Sequence, residues 1–194
     1  MSAPDERSVD ASSSAGRALP DLSSDHFALF GLPARFELDE AALAPRYREL
    51  QAAVHPARFA AAGAAERRWS VQASGRVNDA WRTLSKPLPR ATYLLSLHGI
   101  DTGAETDTRM DPAFLMEQME LREALAEAES AADPPAALDA LGARLRALGR
   151  EEAVRFAAAA DAGDWAAGRD VVRRWQFVEK LRAELGEVEA RLEG

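Results

Sequence analysis

Residues Leu38 to Pro56 read LDEAALAPRYRELQAAVHP, and this stretch settles what kind of molecule the chain forms. Asp39 is a helix N-cap followed by an acid, with Leu38 and Leu43 spaced as a hydrophobic staple. Leu43, Tyr47, Leu50 and Val54 then recur at helical spacing as one apolar stripe. Pro45 removes a backbone donor near the second turn and is expected to kink the helix or shift its start. The helix has to stop before His55-Pro56, because a residue preceding proline avoids the α region. Downstream, Trp69, Ala73, Val77, Ala80 and Leu84 form a second stripe, predicting a helix over residues 64–84 that packs against the first as an antiparallel hairpin.

Two short helices flank this hairpin. Asp25 to Leu32 is capped by Asp25 and stopped by Gly31, and Ala91 to His98 repeats that logic with Gly99. Four helices around one small core are expected. Further on, three longer helices are predicted at 112–131, 135–160 and 164–192. Leu138, Leu141, Leu145 and Leu148 mark the middle one, and Val171, Val178, Leu181, Leu185, Val188 and Leu192 mark the last. The expected organisation is a disordered leader over 1–24, a first module over 25–100, a linker over 101–111 and a three-helix bundle over 112–194.

Composition agrees with an all-α fold. Ala supplies 42 residues and Leu 22, against 9 Val and a single Ile, so helix formers dominate and β-branched residues are scarce. The chain carries 24 basic and 32 acidic residues in 194, net -8. Free nucleic acid is therefore an unexpected partner. Charge is uneven: residues 25–100 carry net +3 and 101–194 net -9, which points to two different partners. Without cysteine the chain has no disulfide, zinc-thiolate site or thiol nucleophile. No apolar run is long enough to span a bilayer, and the N-terminus lacks the basic start and apolar core of a signal peptide, so a soluble, intracellular protein without membrane partners is expected.

The helix starting near Asp111 carries the clearest site signal. At about 100° per residue, Phe114, Leu121, Leu125 and Ala128 share one face. Leu115, Met116, Met119, Glu120, Glu123 and Glu127 point the other way. An apolar patch rimmed by carboxylates is more often a partner site than a second packing surface, and Met suits adaptable surfaces.

Phe30-Gly31-Leu32-Pro33, Tyr47-Arg48-Glu49-Leu50-Gln51, His55-Pro56 with Phe59, Asn78-Asp79-Ala80-Trp81-Arg82-Thr83-Leu84, Tyr93-Leu94-Leu95-Ser96-Leu97-His98-Gly99 and the segment Phe114 to Glu123 occur together and in order. In these motifs the chain, over about residues 25–192, resembles the HscB family, J-type co-chaperones of iron-sulfur cluster assembly. The resemblance implies an N-terminal J-domain, a helical hairpin with two short helices, followed by a C-terminal three-helix bundle. It implies that the J-domain engages the DnaK-like chaperone HscA and regulates its ATPase, and that the bundle binds the scaffold protein IscU. The chaperone-facing residues would be His55, Pro56, Ala57, Arg58, Tyr47, Arg46 and Arg48. The scaffold-facing positions fall on Leu115, Met116, Met119, Glu120, Glu123, Glu127 and Phe177. A bacterial, cytoplasmic member without a cofactor is implied.

The sequence departs from the family at one place. The J-domain signature His-Pro-Asp reads His55-Pro56-Ala57 here. A charge-assisted hydrogen bond contributes about 1.5 to 3 kcal/mol, so the resemblance implies that losing the carboxylate at Ala57 would weaken coupling to the ATPase by one to two orders of magnitude. The competing expectation is thus a J-like module that binds scaffold or client without stimulating hydrolysis. An enzyme is not expected. His26, His55 and His98 lack metal-ligand spacing, no Gly-rich phosphate loop or nucleophile elbow appears, and Glu120, Glu123 and Glu127 are expected to remain surface charge rather than a metal site.

Overall fold

A computed structural model describes residues 20–103 and 111–193. Most of the expected leader and linker lies outside these residues. The first helix, α1 (His26–Phe30), starts on the Asp25 side chain, which accepts the Ala28 N–H at 2.9 Å, and ends at Gly31, whose φ of 69° is left-handed. Helix α2 (Glu40–Val54) is capped by Asp39, which accepts from Ala41 and Ala42. Pro45 lies inside α2 and does not shift its start. It sits on the exposed side, where water can serve the carbonyl its ring leaves unpaired.

After Val54 the backbone turns at His55, and a 3-10 turn (Pro56–Phe59) leads into α3 (Ala64–Leu84). Helix α4 (Pro87–Leu97) begins four residues before the expected Ala91. Pro87 takes the first helical position, where a missing N–H costs nothing, and so the Leu88-Pro89 stretch, which looks like a breaker, is the first turn. Gly99, with φ 73°, closes it as expected. Helices α5 (Pro112–Glu129), α6 (Pro134–Asp161) and α7 (Trp165–Glu193) follow. Asp111 and Asp133 cap α5 and α6, each ahead of a proline. Helix α5 stops two residues before the expected 131, with Ser130 as its C-cap.

Leu43, Leu50 and Val54 of α2 are buried against Ala73, Val77, Ala80 and Leu84 of α3. Tyr47 is only half-buried. Its hydroxyl donates to Asn78 Oδ1 at 2.8 Å, and its ring stacks on Trp81 at 4.8 Å between centroids. Gln51 Nε2 donates to the same Asn78 oxygen at 2.6 Å. This polar ladder fixes the register of the α2–α3 hairpin.

The expectation of a separate small core is corrected. Phe156 of α6 and Val172 and Trp175 of α7 belong to the same cluster as Phe27, Leu84 and Leu94. Phe36, in the α1–α2 loop, meets Phe156 edge-on at 4.9 Å and Trp175 at 6.3 Å. A second cluster, with Leu121, Leu138, Leu145, Val178, Leu181 and Leu185, fills the rest of the bundle. The α7 seam is also shifted from expectation. Val172, Trp175 and Val178 are buried, Val171 is half-buried, and Leu192 is 49 % exposed. Of two adjacent valines, packing buries Val172, which joins the cluster shared with the first module, and not Val171, which lies one heptad before Val178.

His26 is buried and stacks on Tyr93 at 4.4 Å. Burial, reinforced by the nearby Arg76 charge, holds its pKa below the ordinary 6.5. The unfolded chain therefore takes up this proton at a higher pH than the folded one, and the stability that neutral His26 contributes is lost as pH falls below about 6.5. His26→Gln is expected to flatten that part of the stability curve, as measured by urea unfolding at pH 7.5 and 5.5.

Candidate functional sites

Two surfaces carry the residues singled out in the sequence. The first surrounds the turn after α2. His55 adopts φ -57° and ψ 128°, extended as Pro56 requires, and its Nδ1 accepts the Ala57 N–H at 3.2 Å. Phe59 meets the Trp69 ring edge-on at 5.7 Å, pinning the turn to α3. Arg58 donates to the Ala52 carbonyl at 3.1 Å, at the end of α2. Arg46 reaches the Phe30 carbonyl at 3.2 Å and pairs with Glu49. His55, Ala57, Arg58 and Arg48 are exposed, Pro56 and Arg46 half-buried, and Tyr47 is turned into the α2–α3 ladder. The structure thus brings His55 to Arg58 together on one turn, while Tyr47 lies about two helical turns back along α2 against Asn78 and Trp81.

The second surface is the outer face of α5. Leu115, Met116 and Met119 are 43 %, 64 % and 71 % exposed, and Glu120, Glu123 and Glu127 are exposed beside them. Phe114, Leu121 and Ala128 are buried on the opposite face, as the helical spacing predicts. Phe177 differs from the rest. It is half-buried between α7 and α5, edge-on to Phe114 at 6.0 Å, with the Arg122 guanidinium 5.6 Å from its ring. It props α5 from the α7 side, against the packed face of α5. Arg174 lies 5.1 Å over Phe114 and 3.6 Å from Glu117, a further tie between α7 and α5.

Two buried charges gave no signal in the sequence. Arg90 is 3 % exposed; it donates to the Leu84 carbonyl at 2.7 Å, pairs with Glu40 at 3.2 Å and faces the Phe36 ring. Glu152 is 2 % exposed, and burial raises its pKa above the usual carboxylate value although Arg155, at 2.9 Å, opposes this. Both lie near the shared aromatic core, and no local pattern distinguishes them from surface charges. Among the described residues no group of three or more His, Asp or Glu could hold a metal ion, and no helix is long and apolar enough to cross a membrane.

A hairpin closed by a His-Pro turn, flanked by two short helices and joined to a three-helix bundle, is the architecture of a J-type co-chaperone. The family model described as the HSCB C-terminal oligomerisation domain matches residues 110–186. The "Co-chaperone protein HscB homolog" of Burkholderia multivorans is 51 % identical over 172 residues, covering 89 % of this chain and 98 % of that protein. Among solved structures, the chaperone HscB from Vibrio cholerae is 42 % identical with a TM-score of 0.77, covering 87 % of this chain and 99 % of that one. The human co-chaperone HscB is 33 % identical with a TM-score of 0.81, covering 88 % and 84 %. The chain belongs to the HscB co-chaperone family of iron-sulfur cluster assembly.

Proposed function

We propose that this protein is an adaptor, not an enzyme: it binds the iron-sulfur scaffold protein IscU through α5 and delivers it to the DnaK-like chaperone HscA, whose ATPase its J-domain regulates in the cytoplasm. The observation that carries this reading is the Leu115, Met116 and Met119 patch, exposed to solvent on a helix whose opposite face is fully used in packing. Monomeric proteins rarely leave three large apolar side chains contiguous without a partner. Glu120, Glu123 and Glu127 give the patch an acidic rim suited to a basic rim on the scaffold. In this reading Phe177 holds the patch in shape, residues 25–100 meet the chaperone, residues 112–194 meet the scaffold, and 101–111 join them.

Met116→Asp with Met119→Asp is expected to weaken scaffold binding by roughly thirtyfold or more, since burying a Met side chain is worth about 1.5 to 3 kcal/mol. The thermal midpoint should stay put, because both side chains are exposed. Titration calorimetry against IscU checks this, and unchanged affinity in a folded double variant would remove α5 from the interface.

Ala57 favours a second reading, in which the scaffold is bound but ATP hydrolysis is not stimulated. The turn around it is intact and presented to solvent. What it lacks is a carboxylate.

A further inference from the structure

Among the surfaces the adaptor reading leaves unused, one groove runs where the start of α4 meets α6 and α7. It is about 560 Å³ in volume. Lys86 stands on one wall, and Arg146 and Arg150, one helical turn apart on α6, stand on the other. All three are exposed, and among the described residues none makes an ion pair or side-chain hydrogen bond. The fourth cation, Arg182, is already held by Glu179 at 2.9 Å.

The floor between these walls is mainly apolar and shaped by an absent side chain; the Glu179 carboxylate that also lines it is neutralised by Arg182. Leu88 and Ala153 line it with the edge of Trp175. Gly149 is what keeps it open: a Cβ there would stand 3.2 Å from Glu179 Oε1 and 3.5 Å from Trp175 Nε1. No residue of α5 lines the groove, so an occupant leaves the α5 patch free.

Charge complementarity selects the occupant. The chain as a whole carries -8, and its long-range field repels anions everywhere except where cations are gathered locally. Two guanidinium groups and an ammonium without internal partners, around an apolar floor, suit carboxylates flanking an apolar side chain, because guanidinium matches carboxylate geometry in a bidentate fashion. A groove of this volume between two helical modules has room for one extended segment. A duplex would meet the surrounding acidic surface.

We propose that this groove is a docking site for an acidic peptide segment of a partner protein, with its carboxylates on Lys86, Arg146 and Arg150 and an apolar side chain against Leu88 and Ala153. Because its walls come from both modules, the bound segment spans their junction.

The test uses the full chain and a fluorescently labelled peptide of sequence EDLEDE, followed by anisotropy at low and moderate salt. The peptide is expected to bind, to weaken as salt rises, and to lose at least about tenfold in affinity with Arg146→Glu and Arg150→Glu combined. Arg144→Glu, on the same helix but outside the groove, should leave binding unchanged. Both variants lie at exposed positions, and circular dichroism confirms that they fold. The proposal is overturned if the wild-type chain does not bind the peptide, if the double reversal has no effect, if the neutral peptide QNLQNQ binds as well, or if a single-stranded oligonucleotide competes equally.

Discussion

Ala57→Asp is expected to raise stimulation of the chaperone's ATP hydrolysis by about ten- to a hundredfold, the largest functional gain any single change in this chain should produce. The argument is local. Ala57 is exposed in the first turn of the 3-10 segment, and its N–H is already satisfied by His55 Nδ1. A carboxylate at this position projects into solvent without disturbing the turn, which Phe59 and Trp69 hold from below. A charge-assisted hydrogen bond to a chaperone cation is worth about 1.5 to 3 kcal/mol, and about 1.4 kcal/mol is a factor of ten. Single-turnover hydrolysis by HscA with bound IscU, with either form of the protein added, measures the difference. Equal acceleration by both would show that other contacts replace the carboxylate; scaffold affinity should be the same for both, since α5 is untouched.

Phe156→Ala should have the largest structural effect, a loss of about 3 to 5 kcal/mol. Phe156 is fully buried, packed edge-on against Phe36 from the first module and close to Gly168 of α7, where a Cβ would come within 3.3 Å of its ring. A cavity at this point faces three elements at once and has little means of collapsing. Small domains are stable by only about 5 to 15 kcal/mol, so a large fraction is removed. Urea unfolding gives the magnitude, and amide exchange gives the pattern: protection should fall together in α4, α6 and α7. A loss under about 1 kcal/mol, or one confined to α6 and α7, would mean that the two modules do not share their stability.

Helix spans were legible because their signals are short in range. Asp25, Asp39 and Asp111 announce starts, Gly31 and Gly99 announce stops, and each acts through hydrogen bonds within a few residues. The outward face of α5 was legible for a similar reason, since spacing alone separates Met116 and Met119 from Phe114 and Leu121. What the sequence hides is what covers an apolar face. Phe36, Phe156 and Trp175 meet across more than a hundred residues, and no periodicity carries that information. Arg90 and Glu152 were hidden likewise, because burial of a charge depends on partners supplied from elsewhere in the chain. The start of α4 was missed on a different ground: two prolines near a helix start favour it, whereas the same residues in mid-helix would break it.

The aromatic junction has a consequence for how this protein can be taken apart. Here the first module would be excised with Phe36 and Leu95 stripped of the aromatic ring and the glycine surface they pack on, and the bundle would be left with Phe156, Val172 and Trp175 bare. A chimera made by exchanging residues 25–100 for another J-domain is therefore expected to aggregate unless the graft brings an aromatic residue to the place of Phe36. Separability is a property of the seam and not of the number of modules, and in this chain the seam is filled like a core.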